Sequence, residues 1–334
     1  MNPVNCRLLN FFKPACRVLF FIISAVIGVW CVGVACWMWH FPVWAWTAFA
    51  FALTGLLVSS PWIPEAKWML LIVEISVMAS FFLTTPERAF ANTKWNDECE
   101  KIAQIELFPS GKIGIFGLRC FEYRTAEDFD KCYSAVVLDP ALLDSMDIAF
   151  SDWGIIGGAA KHMLLKFNFK DGKELAVSFE PRVTQGMRGG MFLPGIYKQY
   201  GQMMLLSVPG DIFDLRSVYR GEKLYCYRTT AQGRVLEEMF RKVIAKALYL
   251  EYRPEFYHSV FSNCTTGVLD VLKSDPRLKN PDWRTVFNGY FEEYLFEQGF
   301  FDCRRGESFA SRKARSRVNG FYYYNNDDTW RKKQ

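Results

Sequence analysis

The stretch Lys161-His162-Met163-Leu164-Leu165-Lys166-Phe167-Asn168-Phe169-Lys170-Asp171-Gly172-Lys173-Glu174-Leu175-Ala176-Val177-Ser178-Phe179-Glu180 decides the fold class of this chain. Two alternating runs flank Asp171-Gly172, a dipeptide suited to a hairpin turn. Met163, Leu165, Phe167 and Phe169 share one face of the first run; Leu175, Val177 and Phe179 share one face of the second. Both apolar sets must reach the same buried side. A connection over residues 170–172 satisfies this by pairing Phe169 with Lys173, and it sets His162 opposite Glu180. A strict two-residue turn would put the apolar faces out of phase. A carboxylate is therefore expected beside an imidazole on the less apolar face.

Outward from the hairpin, residues 116–123, 133–138, 203–208 and 224–227 read as further strands, giving an antiparallel sheet. Residues 232–250 carry Val235, Met239, Val243, Ala247 and Leu250 near the helical period, and Pro254 follows. A second helix is expected from about Asn263 through Leu272, and a short one over 282–296. The fold class is α+β. The Gly-rich stretch from Asp152 to Gly158 lacks the strand–GxGxxG–helix setting of a dinucleotide site, so no cofactor is expected.

The N-terminal quarter has a different chemistry. Of 334 residues, 51% are apolar, and they cluster early. Residues 18–39 and 41–60 carry no charge, and 68–85 carry only Glu74. Each run approaches the roughly 20 residues that cross a bilayer as helix. Eight of the eleven tryptophans lie between residues 30 and 95, as expected near a lipid–water interface. The expectation is a three-span anchor over residues 1–90, with helices at about 18–39, 41–60 and 67–85. His40-Phe41-Pro42 and residues 60–64 would make the connections. Arg7, Lys13 and Arg17 hold the N-terminus in the cytoplasm, so three crossings place residues after about 86 outside. Two spans and a surface helix, with Glu74 outside the lipid, would instead place them inside. A secretory signal fits poorly, because further apolar runs follow without a small-residue cleavage site.

Residues 91–303 form the expected folded domain and 304–334 a basic tail. Residues 301–334 contribute +5, equal to the net charge of the whole chain. Arg304, Arg305, Arg312, Lys313, Arg315 and Arg317 would meet anionic headgroups or solvent; no recognition motif points to nucleic acid. Ten cysteines show no CxxC spacing, and the three histidines at 40, 162 and 258 offer no ligand cluster, so no metal is expected. An outside location would permit disulfides.

Cys264 follows Asn263, a good helix cap, and so falls in a first helical turn. There the unpaired N–H groups and the helix dipole favour a thiolate. His162 with Glu180 offers a base and its orienting group; His258, six residues before Cys264, is the competing base. Met187, Met191, Phe192, Met203 and Met204 would line an acyl groove or pack as plain core.

Ser178-Phe179-Glu180-Pro181-Arg182, Asp211-Ile212-Phe213-Asp214-Leu215-Arg216, Pro254-Glu255-Phe256-Tyr257 and Asn263-Cys264-Thr265-Thr266 resemble the DUF4105 family, which includes Lnb-type lipoprotein N-acyltransferases of Gram-negative bacteria. The resemblance spans roughly residues 115–300. It implies a permuted papain-like (NlpC/P60-like) domain with the histidine strand ahead of the cysteine helix. On that basis Cys264 is the nucleophile, His162 the base and Glu180 the orienting carboxylate. Asn263, Thr265, Tyr257, His258 and Arg182 would support the site or bind substrate. His258 stands where family members have asparagine. The implied partners are a phospholipid acyl donor, a diacylated lipoprotein acceptor and the lipid bilayer; the implied location is the periplasmic side of a bacterial inner membrane. A thiol hydrolase (cell-wall peptidase, amidase or phospholipase) and a non-catalytic membrane scaffold are the rival readings.

Overall fold

The structure is a computed structural model that describes residues 3–322 apart from 41, 155–157, 188–191, 279–281, 286 and 319, with side chains from residue 14 onward. The polypeptide divides into two units: residues 1–93 with 190–199, and residues 94–189 with 200–334.

The first unit is helical. Helix α1 (Pro3–Gly33) widens into a π-helical segment, Val34–Met38. Helices α2 (Val43–Ser59), α3 (Pro64–Leu83) and the short α4 (Pro86–Ala89) follow. Pro64 and Pro86 occupy first helical positions, where their missing N–H costs nothing. Residues 14–38 and 64–83 form helices long and apolar enough to cross a membrane, at 25 and 20 residues; α2 is apolar but shorter, at 17. Phe41, in the expected first connection, lies outside the described residues. Glu74 does not face outward: it is buried, with a hydrogen bond to Ser24 of α1. Later in the chain α5 (Phe192–Ile196) belongs to this unit, where Tyr197 joins the apolar cluster of Cys31, Val34, Leu70 and Phe81. Lys198 Nζ donates to the carbonyls of Phe81 and Thr84 at the end of α3, at 2.5 and 3.1 Å.

The second unit is built on one sheet. Its strands are β1 (Gln104–Leu107), β2 (Ile113–Arg119), β5 (Tyr133–Leu138), β6 (Leu143–Asp152), β7 (Lys161–Phe169), β8 (Glu174–Arg182), β9 (Gly201–Ser207) and β10 (Lys223–Arg228). A separate small ladder joins β3 (Glu122–Tyr123) and β4 (Phe129–Asp130). The order is β1-β2-β9-β8-β7-β6-β10, with β5 also on β2. All pairings are antiparallel except the bridge of Arg119 to Ser207, which joins β2 to β9 in parallel. The sheet is thus mixed, where a purely antiparallel one was expected. The expected 116–123 strand is observed as Ile113–Arg119, and Gly117, at φ +78°, makes a bulge within it.

The β7–β8 register is the expected one. Leu165 faces Val177 and Phe167 faces Leu175, and the Phe169 N–H donates to the Lys173 carbonyl at 2.9 Å. Gly172 supplies the left-handed turn residue at φ +81°. The odd-numbered side chains of β7 enter the main core with helices α7 (Gly233–Tyr252), α8 (Cys264–Leu272) and α9 (Phe291–Glu297). The opposite face is covered too, by Ile212 and Phe213 of α6 (Pro209–Asp214) and by Tyr322. All nine residues of β7 are therefore buried. Lys166 survives there through contacts to Asp147 at 3.1 Å and Glu174 at 2.6 Å, since a buried charge needs partners.

Residues 304–322 are not a loose tail. Helix α10 (Phe309–Arg315) is capped by Ser308, and buried Arg312 stacks over Tyr227 and Phe301. Arg315 pairs with Glu307, and the Arg317 guanidinium lies over the Tyr225 ring. These cations are therefore spent on the domain itself; residues 323–334 lie outside the described residues. The expected 282–296 helix is broken into 3-10 turns at Trp283–Thr285 and Asn288–Tyr290 before α9 begins. At Gly289 the chain makes a close approach: a Cβ there would collide with the backbone of Gly158 and Ala159. Met203 and Met204 point into opposite cores, so they line no common groove; Met191 lies outside the described residues.

Candidate active site

Helix α8 starts where its cap predicts. Asn263 Oδ1 accepts the Thr266 N–H at 3.0 Å, and Thr266 Oγ1 accepts the Asn263 N–H at 2.8 Å. This reciprocal box fixes Cys264 as the first helical residue. Its buried thiol lies close to the His162 side chain and to the Met163 backbone amide, and both favour the thiolate.

The sheet opens beside the thiol. The β7–β8 ladder runs only as far as Leu164 opposite Ser178. Continued in register, Met163 would donate to Phe179, because hydrogen-bonded pairs alternate from Phe169–Lys173. The Cys264 sulfur sits beside that amide. The strands thus open where the nucleophile enters, and His162 and Glu180 still face each other across the gap.

His162 Nε2 lies 3.0 Å from Glu180 Oε1 and 2.7 Å from Ser178 Oγ, and the Ser178 hydroxyl itself donates to Glu180 at 2.7 Å. The other ring nitrogen, Nδ1, is left for the thiol. Trp153 stacks near the imidazole, at 6.2 Å between ring centres and 22° between planes. Behind Glu180, Arg216 donates to it at 3.0 Å and to Glu222 at 3.1 Å. A cavity of about 60 Å³ between Glu98, Arg119, Arg216 and Arg220 reaches the same carboxylate.

The electrostatics favour a charged pair. Burial and the Arg216 charge pull the imidazole down, but Glu180 and Cys264 outweigh them and push His162 up to about 9. Burial raises the Cys264 thiol; the His162 charge, its hydrogen bond and the Met163 amide overcome this and lower it. Burial likewise opposes Glu180 ionisation, yet His162, Arg216 and Ser178 hold its carboxyl well below the usual range. A thiolate beside an imidazolium is the state these shifts support.

The structure brings Cys264, His162 and Glu180 together. Tyr257 lies close enough to feel Cys264 and Glu180: burial, then those two charges, raise its phenol and keep it protonated. Thr265 Oγ1 accepts from Asn288 Nδ2 at 2.6 Å. His258 is engaged elsewhere, with Nδ1 accepting the N–H groups of Val260 and Phe261 at 3.1 and 3.2 Å. Arg182 also points away: it donates to the carbonyls of Cys99 and Glu100 and stacks on Trp95, tying the start of the domain to β8.

Sequence reasoning missed Ser178, Trp153 and Asn288, and it quoted Arg216 without assigning a role. Ser178 was legible from strand parity, two residues before Glu180. Asn288 was not, because it arrives from a segment read as continuous helix. Among the described residues, no group of three His, Cys, Asp or Glu side chains converges as a metal site.

A mixed α+β unit with a cysteine–histidine–glutamate constellation is the class of site defined here. Residues 133–289, which contain all three side chains, match the family model described as the Lnb N-terminal periplasmic domain. That stretch is similar to the Lnb N-terminal periplasmic domain. No curated protein and no solved structure matches the chain.

Proposed function

We propose that the protein is a membrane-anchored, cysteine-dependent acyltransferase that moves a fatty acyl chain from a phospholipid to the N-terminal amine of a diacylated lipoprotein. The observation that carries this reading is the buried Cys264 thiol between His162 and the Met163 amide, with Glu180 behind the imidazole. The Lnb relation of residues 133–289 supports a lipoprotein-modifying role and a periplasmic domain. The order of histidine strand before cysteine helix supports a permuted papain-like relation of DUF4105 type.

In this mechanism the Cys264 thiolate attacks the ester carbonyl of the donor. The first-turn N–H groups of α8 face the developing oxyanion. The tetrahedral intermediate collapses as the imidazolium of His162 protonates the departing glycerol oxygen, leaving a thioester and a lysophospholipid. The lipoprotein amine then attacks the thioester, His162 takes its proton, and the thiolate departs as the amide forms. Glu180, held by Ser178 and Arg216, keeps the ring oriented through both halves. The anchor crosses three times, with α2 as the short middle span, and this odd number places the domain outside.

Labelled phospholipid incubated with a diacylated lipopeptide tests the reading. Label on the peptide amine supports transfer. Label released only as free fatty acid would assign hydrolysis to the same residues, and no label movement with Cys264 intact would leave the scaffold reading.

A further inference from the structure

Several large apolar side chains stand exposed on the second unit on or beside the two segments that adjoin the catalytic turn. Tyr252 ends α7 at 73% exposure; Val260 and Phe261 follow at 42% and 79%; Trp283, Phe287 and Tyr290 stand at 59%, 54% and 44%. The last five come from two segments tied directly to the catalytic turn, and Tyr252 immediately precedes the first of them. The first, 253–262, leads into Cys264 and is braced by Asn263 Nδ2 on the Ser259 carbonyl at 2.7 Å and by the His258 turn. The second, 282–290, is fastened through Asn288 to Thr265. Trp283 touches Phe287 and Tyr290, with ring centres 6.2 and 5.4 Å apart. These aromatics pack on each other at the surface while their backbones are fixed from below.

We propose that these two segments form a lipid-docking rim that seats in the surface of a phospholipid bilayer and presents Cys264 to it. The inference rests on the acyl-transfer reading and names the surface from which the donor is drawn. Two observations commit the rim to lipid rather than to a protein partner. Its composition, Trp, Tyr and Phe with few aliphatics, is that of side chains which settle at the headgroup boundary. And the unit begins at Lys94, eleven residues beyond the end of the apolar helix α3 at Leu83, with residues 190–199 returning to the helical unit. A chain so short spans at most about 40 Å, so a bilayer is the surface always within reach.

The test uses the full chain in phosphatidylethanolamine–phosphatidylglycerol vesicles, with p-benzoylphenylalanine in place of Phe261, Phe287 or, for comparison, Leu107 on β1. Each is made with Cys264 and with Cys264→Ser. The expected result is phospholipid adducts several-fold stronger at 261 and 287 than at 107, in both backgrounds. Equal adducts at all three positions, or adducts at 261 and 287 only to a second protein copy, would overturn the proposal. In parallel, Phe261→Asp with Trp283→Asp should lower transfer from vesicles about tenfold or more, the effect of roughly 1.4 kcal/mol of lost docking. Cys264 acylation by a water-soluble short-chain thioester should remain. Equal loss with both donors would also overturn the rim. Lipid adducts without acyl transfer would leave the rim standing and sink the acyltransferase reading; transfer without adducts would do the reverse.

Discussion

Gly267 lies against Phe179 so closely that a Cβ on it would meet the phenyl ring at 2.5 Å. The contact sets the depth at which α8 sits on β8, and hence how far the thiol reaches between the strands. Phe179 is buried in the main core and has little room to yield. Gly267→Ala should therefore destabilise the protein by about 1–3 kcal/mol through overpacking. It should also slow Cys264 alkylation at pH 7, measured with iodoacetamide, by pushing the sulfur away from His162. An unchanged alkylation rate would mean that the helix depth does not set the thiolate.

Asn288 bridges the dyad from outside. Its side chain accepts the Lys161 N–H at 2.8 Å, donates to the Lys161 carbonyl at 2.6 Å and donates to Thr265 at 2.6 Å. Lys161 precedes the histidine and Thr265 follows the cysteine. Asn288→Ala should lower kcat more than it raises KM and should move the pH midpoint of Cys264 alkylation upward. Loss of stability alone, with that midpoint unmoved, would reduce Asn288 to a packing role.

Glu180→Gln removes the charge that holds His162 at about 9. The alkaline limit of acyl transfer should then move toward neutrality by a pH unit or more, about 1.4 kcal/mol of lost charge interaction per unit. Profiles of kcat/KM against pH for the two proteins decide this.

The same groups give a signed stability prediction. His162 is raised in the fold, so its contribution is full below its ordinary value of 6.5 and is lost as pH rises through about 9. Glu180 is lowered, so its contribution is present above the ordinary carboxylate value of 4.5 and is lost on acidification through its lowered one. The Tm difference between the protein and its Glu180→Gln variant should be largest near pH 6 and shrink toward pH 10. A difference that grows with alkalinity would contradict the assigned charges.

Cys120 and Cys132 form a disulfide that closes a short loop, twelve residues apart in sequence. Its presence fits an oxidising compartment. Reduction should lower stability by about 2–4 kcal/mol, read as a fall in Tm with dithiothreitol.

The hairpin was legible because alternation and a turn dipeptide jointly fix its register, and register alone sets His162 across from Glu180. Helices α7 and α8 were legible from period and cap. Strand β6 was not: Asp144, Ser145, Asp147 and Ser151 interrupt its apolar residues, and their burial depends on distant partners such as Lys166 and Arg228. The basic C-terminal stretch read as facing lipid headgroups or solvent because a sequence does not reveal that Arg312 will find Tyr227 and Phe301. Arg216, quoted from the sequence without a role, is the arginine that the fold sets on Glu180, while Arg182 is turned away.

The ten-residue return of the chain into the helical unit has a consequence for biosynthesis. Lys198, which closes the carbonyl end of α3, is translated more than a hundred residues after that helix, once eight strands of the other unit have already been made. The helical unit therefore cannot finish before much of its neighbour exists. Nor can a ribosome-order fragment ending at residue 189 contain either unit whole. Cleavage at one peptide bond near residue 93 would leave the halves still joined at two places, at 189–190 and 199–200. Separating them takes three cuts, so the protein is released from its anchor only by breaking the loop as well as the stem.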